Sequence, residues 1–331
     1  MLLGEFLAEW NSPESTVLVH TSGSTGVPKP VRVEKKRMLN SARITCDFLG
    51  LQPGDRSLLC MPLDYIAGKM VVVRSIERHL QLTSVEPSGH PLENVTTPLD
   101  FAAMVPMQVY NSLKVPEECE KLCAIRHLII GGGPVNDDLQ QRLAQFPNFV
   151  WSTYGMTETL SHIALRRLNG TEASLWYTPF NSVAVSLNAK GCLMIDAPLV
   201  HEGLLETHDR AEIRDGKFRI IGRLDNVINS GGIKIQAEEV EEILQPHLNI
   251  PYLISKCRDE KFGEVVVLLT ECADLHLIQS VCCKVLPRFW RPKHYFYTSH
   301  IPFTATGKPA RKKAEAWCNM QLRSQGYLRM L

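Results

Sequence analysis

The densest chemical signal is His20-Thr21-Ser22-Gly23-Ser24-Thr25-Gly26-Val27-Pro28-Lys29. Glycines let backbone N–H groups approach an oxyanion, hydroxyls donate further hydrogen bonds, and a lysine supplies a point charge. That is equipment for a polyphosphate. The segment follows TVLVHT (16–21), an apolar β-branched run that reads as a buried strand. A Walker A loop is excluded, because it needs Gly before the Lys and Ser or Thr after it, whereas Pro28 and Pro30 flank Lys29. On composition alone, a solvated Ser/Thr/Gly turn is an equal reading.

Further candidates follow along the chain: LIIGGGP (128–134), with Gly131, Gly132 and Gly133; Tyr154-Gly155-Met156-Thr157-Glu158; Asp209 within ETHDRAEI; Gly222-Arg223-Leu224-Asp225-Asn226, then Ser230-Gly231-Gly232; and Pro302-Phe303-Thr304-Ala305-Thr306-Gly307-Lys308-Pro309-Ala310-Arg311. Each has a bland reading in isolation. Glu158 suits a helix start, Asp209 a turn before a strand, Gly231-Gly232 a plain turn, and Lys308 an exposed surface. Together, in this order, they resemble the motifs of the adenylate-forming superfamily of acyl- and aryl-CoA ligases, luciferases and peptide-synthetase adenylation domains. The resemblance covers residues 16–312. Two positions depart from it: Pro30 and His208 stand where the family has Gly.

The resemblance implies a two-step reaction. A carboxylate oxygen attacks the α-phosphate of ATP, giving acyl-adenylate and pyrophosphate. The thiol of coenzyme A then attacks the acyl carbon and expels AMP. It further implies that Thr21, Ser22, Gly23, Ser24, Thr25, Gly26 and Lys29 hold the β- and γ-phosphates. Gly132 and Gly133 line the adenine pocket, with Tyr154-Gly155 beside it and the Tyr154 ring offered to the adenine. By the same resemblance Thr157 bonds the α-phosphate, Glu158 ligates Mg²⁺, Asp209 accepts the ribose hydroxyls, and Arg223 bridges ribose and phosphate. Lys308 is the catalytic lysine, Asp225 the hinge on which a small domain turns between the two steps, and Gly231-Gly232 line the coenzyme A tunnel.

For the acid, MPLDYIAGKMVVVR (61–74) resembles a segment of the o-succinylbenzoate–CoA ligases of menaquinone biosynthesis, with Tyr65 in place of a His and Arg74 on their substrate-binding Arg. A planar guanidinium pairs bidentately with a carboxylate; the alternative is an exposed helix arginine. GMTETLSHIALRR (155–167) resembles the same subgroup, which places Ser161 and His162 at the aryl site or, equally, in a core or capping role. Two other readings stay open: another acyl- or aryl-CoA ligase of phenylacetate or benzoate type, or a non-catalytic adenylate-binding homologue.

These residues need a scaffold. From residue 16 to about 160, short apolar runs alternate with helical patterns, which predicts an α/β layered body. Strands are expected at 57–63, 80–86, 127–132 and 148–155, and a helix over 36–50 stopping at Gly50. After 180 the pattern turns antiparallel, with hairpins at NAKG and Asp215-Gly216. From about 225, a βαββαβα order predicts a small α+β unit. The expected division is 1–224, an AMP-binding adenylation domain, and 225–331, a mobile C-terminal lid carrying Lys308. Only 20 residues precede the phosphate segment, so a shortened N-terminal subdomain is expected.

At 331 residues the chain is long enough for about two domains. Lys and Arg number 36 against 35 Asp and Glu, so no basic field points to nucleic acid or a membrane surface. No apolar run reaches the roughly 18 residues of a membrane span, and the start lacks the basic region of a signal peptide. Ten irregularly spaced cysteines without a Cys-x-x-Cys pair read as reduced thiols in a cytoplasmic protein. The partners expected are ATP, Mg²⁺, coenzyme A and a carboxylic acid, with a homo-oligomer left open.

Overall fold

The computed structural model describes residues 1–20, 30–303 and 309–329. The chain divides into two compact units. One comprises Met1–Ser186, Met194–Glu206 and Ile213–Arg219; the other Leu187–Leu193, Thr207–Glu212 and Ile220–Leu331.

The first unit begins with α1 (Leu3–Asn11) and the antiparallel pair β1 (Thr16–His20) and β2 (Pro30–Glu34), whose register sets His20 opposite Pro30. In α2 (Lys35–Leu49), Met38, Ser41, Ala42, Thr45, Cys46 and Leu49 recur at helical spacing and form its buried face. Gly50, left-handed at φ 64°, ends it. The order continues as β3 (Arg56–Leu59), α3 (Ile66–Arg78), β4 (Gln81–Ser84), β5 (Phe101–Met104), α4 (Pro106–Ser112), α5 (Pro116–Ala124), β6 (His127–Ile130), α6 (Asp137–Leu143), β7 (Phe149–Gly155), β8 (His162–Arg167) and β9 (Thr178–Pro179).

Seven of these strands form one sheet, in the order β4-β3-β5-β6-β7-β8-β9. Pairs from β4 to β7 are parallel; β7–β8 and β8–β9 are antiparallel. Parallel strands covered on both faces carry continuous apolar runs, as Leu128, Ile129 and Ile130 do, rather than an alternation. Helix α3 is buried without interruption from Gly68 to Ser75.

A four-stranded sheet follows: β10 (Ala184–Leu187), β11 (Cys192–Asp196), β12 (Leu204–Arg214) and β13 (Lys217–Arg223), in sequence order. Asp215 and Gly216, at φ 50° and 73°, make the two-residue turn between β12 and β13. Both central residues need φ > 0 there, which suits Asp-Gly.

In the second unit come β14 (Val227–Ser230), β15 (Ile233–Gln236), α7 (Ala237–Leu244), β16 (Tyr252–Asp259), β17 (Gly263–Thr270), α8 (Leu275–Val285), β18 (His294–Tyr297) and α9 (Arg311–Arg329). Their sheet runs β15-β14-β17-β16, with β18 parallel to β17. Strand β17 shows how it is packed. Val266 and Leu268 join Val240, Leu244, Ile278 and Cys282 of α7 and α8, while Val265, Val267 and Leu269 join Ala314 and Cys318 of α9. The period of two along one strand thus supplies two separate cores.

The mixed α/β body with an antiparallel portion and an α+β part is the fold class that the sequence predicts. Five strands escape the sequence reading: β2, β5, β8, β9 and β14. Strand β2 opens on Pro30, β9 is only two residues long, and β5 is the short, Ala-rich FAAM; Pro and Ala are both depleted in strands. The other two, β8 and β14, lie inside segments whose motifs dominate the reading. Among the described residues no disulfide joins the cysteines, and no helix is long and apolar enough to cross a membrane.

Candidate active site

The ends of the phosphate segment are fixed by β1 and β2. Residues 21–29 themselves (Thr21, Ser22, Gly23, Ser24, Thr25, Gly26 and Lys29 among them) lie outside the described residues, as do residues 304–308 with Lys308. His20 also bridges in parallel to Tyr65, the N-cap residue just before α3. The strand leading into the phosphate segment is thereby tied to the helix that carries Arg74.

The glycines after β6 meet a packing requirement. A Cβ on Gly131 would come 2.4 Å from Thr153 Oγ1 of β7, and Gly132 sits at φ 81°. Gly155 is tighter still: a Cβ there would fall 2.2 Å from the Ser161 carbonyl oxygen and 2.4 Å from His162 Cα. The chain turns back on itself through Thr157–Thr159, so that Gly155 pairs with His162 across a register shift at Tyr154/Gly155. Such irregularities re-aim side chains next to sites. Tyr154, half-buried, meets Phe218 edge-on at 5.0 Å, and Phe218 stacks with Tyr177 at 5.5 Å.

The turn bearing Thr157 and Glu158 is held by a residue the sequence reading missed. The Thr159 hydroxyl accepts from the Met156 N–H at 3.0 Å and lies 2.7 Å from the Ser161 carbonyl. Leu160, buried, is held at φ 65°, an unusual conformation for a side chain of its size. His201 Nδ1–H donates to the Glu158 carbonyl at 3.1 Å, leaving the Glu158 carboxylate exposed. Among the described residues no cluster of three or more His, Cys, Asp or Glu could hold a metal. A single exposed carboxylate fits Mg²⁺, which keeps its waters and is commonly bound through one or two carboxylates plus substrate phosphates.

Arg74 is the least ordinary side chain of the first unit. It is 2% exposed, yet among the described residues it forms no ion pair. Its Nη2 donates to Ser161 Oγ at 2.6 Å, and its Nε is buried without a hydrogen-bond partner. Burial pushes the guanidinium down to about 10, still charged at neutral pH. The neighbouring Cys46 thiol is pushed up to about 11 by burial and so offers no counter-charge. Sequence reasoning found Arg74 and Ser161 separately; the fold brings them together. Gly68, on the same helix, lets α3 approach, since a Cβ there would sit 2.5 Å from the Pro62 carbonyl oxygen. A buried, charged guanidinium with an unpartnered Nε–H has the donor chemistry that suits a carboxylate.

In the second unit Asp209, Arg223 and Asp225 come together. Arg223 donates to Asp209 Oδ1 at 2.9 Å and to Asp225 Oδ2 at 3.3 Å. His208, the departure from the family pattern, places Nδ1 3.3 Å from both Asp225 oxygens. Desolvation raises the Asp225 carboxyl, but hydrogen bonds from His208 and Arg223 outweigh it and hold it below the ordinary value. Gly231 and Gly232, at φ 57° and 86°, form the turn between β14 and β15. A Cβ on Gly231 would lie 2.9 Å from Phe262, whereas one on Gly232 meets nothing within 4 Å.

The chain is similar to known proteins. The family model described as AMP-binding enzyme matches residues 5–185, more than half of the chain. The 2-succinylbenzoate–CoA ligase of Salmonella typhimurium is 27% identical over 329 residues, 94% of this chain and 71% of that protein. Its Escherichia coli counterpart is 28% identical over 333 residues, 96% and 72% of the two chains. The solved acyl-CoA synthetase (AMP-forming)/AMP-acid ligase II-like protein from Dyadobacter fermentans is 33% identical, with 95% of this chain and 93% of that one covered and a TM-score of 0.65. The o-succinylbenzoate coenzyme A synthetase of Bacillus subtilis, solved with ATP and magnesium, shares the fold at a TM-score of 0.75 and 23% identity, covering 89% and 69%. The chain belongs to the AMP-binding enzyme family, and it is an AMP-forming CoA ligase.

Proposed function

We propose that the acid is o-succinylbenzoate, activated with ATP and converted to o-succinylbenzoyl-CoA, the thioester used in menaquinone biosynthesis. The observation that carries this reading is Arg74, a buried cation with no anion among the described residues. Burying an unpaired charge is costly, and a carboxylate brought by the substrate would offset that cost. One carboxylate of a dicarboxylic acid reacts and the other would stay on Arg74, with Tyr65 at the start of the same helix and Ser161 beside it. Relatives named 2-succinylbenzoate–CoA ligase add support.

In this reading the first step gathers anionic oxygens, and preorganised donors lower its barrier. Residues 21–29 would hold the β- and γ-phosphates, Thr157 the α-phosphate, and Lys308 the charge developing on phosphate and acyl oxygen. Mg²⁺, when bound, neutralises phosphate charge, and Glu158 would hold it. Tyr154 would face the adenine, with Gly155, Gly132 and Gly133 around it, while Asp209 would accept the ribose hydroxyls. Residues 225–331 would act as a lid hinged at Asp225, with Gly231 and Gly232 beside the pantetheine arm. A panel of aryl acids assayed by AMP release tests the reading. The highest kcat/KM is expected with o-succinylbenzoate; preference for phenylacetate or benzoate contradicts it.

A further inference from the structure

Behind Arg74 lies a second layer that the chemistry described so far leaves unused. The Thr45 hydroxyl, fully buried, donates its only proton to the Ser41 carbonyl at 3.1 Å. It can therefore only accept from His162 Nε2, 3.1 Å away, so Nε2 carries the ring proton. His162 is buried and held neutral by desolvation and by the charge on Arg74. Its Nδ1 is then an acceptor, 3.2 Å from Ser161 Oγ, and takes the Ser161 proton. The Ser161 oxygen, its proton committed, accepts from Arg74 at 2.6 Å. With the Thr45 proton on the Ser41 carbonyl, the chain runs Arg74 to Ser161 to His162 to Thr45 to the Ser41 carbonyl.

We infer that His162 and Thr45 are positioning residues that orient Arg74 for a carboxylate of the acid substrate. The inference rests on the reading of Arg74 given above. With Nη2 tied to Ser161, the guanidinium plane is set before substrate arrives, and the unpartnered Nε remains for a carboxylate oxygen. Without the chain, Ser161 can turn and Arg74 can settle in several rotamers, of which few suit the carboxylate. The penalty falls on acid binding, not on chemistry at the other carboxylate.

The test is Thr45→Val, which removes the terminal acceptor at nearly constant volume, with Thr45→Ser as the conservative rescue. Arg74→Ala is measured alongside, with o-succinylbenzoate and with an analogue lacking the second carboxylate. Loss of one hydrogen bond's worth of orientation should raise KM for o-succinylbenzoate about 3- to 10-fold. Its kcat, and KM for ATP and for the analogue, should stay within about twofold, and Thr45→Ser should restore KM. If Arg74→Ala raises that KM but Thr45→Val does not, the positioning role is overturned while the acid reading stands. If both acids lose equally in Thr45→Val, Thr45 only supports the fold, and the inference is overturned. If Arg74→Ala is silent, the acid reading falls and the positioning role with it.

Discussion

Arg74 and Arg223 are the same residue type in opposite circumstances. Arg223 is 39% exposed and spans two carboxylates, Asp209 and Asp225. Arg74 is 2% exposed and has none among the described residues, only a hydroxyl chain that ends on a carbonyl. An exposed, paired cation is a modest contributor, because water competes for each partner. A buried cation without an anion destabilises the protein that carries it, so its presence asks for a reason outside folding. Under the proposed function, the difference separates a residue that organises its neighbours from one kept for a ligand.

The largest effect should come from a cation at the reacting atoms. Lys308→Ala should slow adenylation about 10²- to 10³-fold, while synthetic acyl-adenylate plus coenzyme A still yields thioester. Stopped assays of pyrophosphate and thioester separate the two steps. Normal adenylation by the variant would remove Lys308 from the mechanism.

Next in size is a change of opposite sign in stability. Arg74→Met replaces a buried charge with an apolar chain of similar length and should stabilise the ligand-free protein by about 1 to 4 kcal/mol. Arg223→Met should destabilise by at most about 1 kcal/mol. Thermal denaturation of the two variants beside the parent reads both, and a clear loss in Arg74→Met would make the guanidinium an ordinary structural group.

The smallest expected effect is on acid stability. His162 is held well below its ordinary value, and His127 is lowered to about 4, in both rings first by burial and then by nearby arginines. The unfolded chain, with histidines near 6.5, binds more protons than the native one below that pH, so stability rises with pH there. Tm should therefore be flat above about pH 6.5 and fall from there toward pH 4. Each ring contributes at most about 1.4 kcal/mol per pH unit, and half-buried His127 less. His127→Phe should flatten the fall; an unchanged profile would show that the ring titrates normally.

How much of this was legible in the sequence differs between the two arginines. Arg223 and Asp225 sit in one short motif, and Asp209 in another nearby, so their grouping follows from local pattern. Arg74 was found by its place after Pro62, but not its burial, because helix α3 is covered on every side and its run KMVVVR shows no polar face. Ser161 and His162 were visible only as neighbours of the Thr-Glu pair. Thr45 was invisible: it lies 117 residues from His162, and only tertiary packing joins them. The one clue was two hydroxyl residues, Ser41 and Thr45, on an otherwise apolar stripe of α2. The same holds for strands. Asp215-Gly216 announced its hairpin through turn chemistry, whereas β8 was hidden within a motif read for its side chains.

The most direct measurement of the central claim is kcat/KM for o-succinylbenzoate and for its analogue lacking the second carboxylate, each on the parent and on Arg74→Ala. A hydrogen bond to a charged group is worth about 1.5–3 kcal/mol net, which predicts a loss of roughly 10- to 150-fold for the dicarboxylic acid in the variant. The analogue should be a weak substrate of the parent and nearly indifferent to the substitution, so that the cycle isolates the pair. Equal losses for the two acids, or a parent enzyme that prefers the monocarboxylate, would contradict the account.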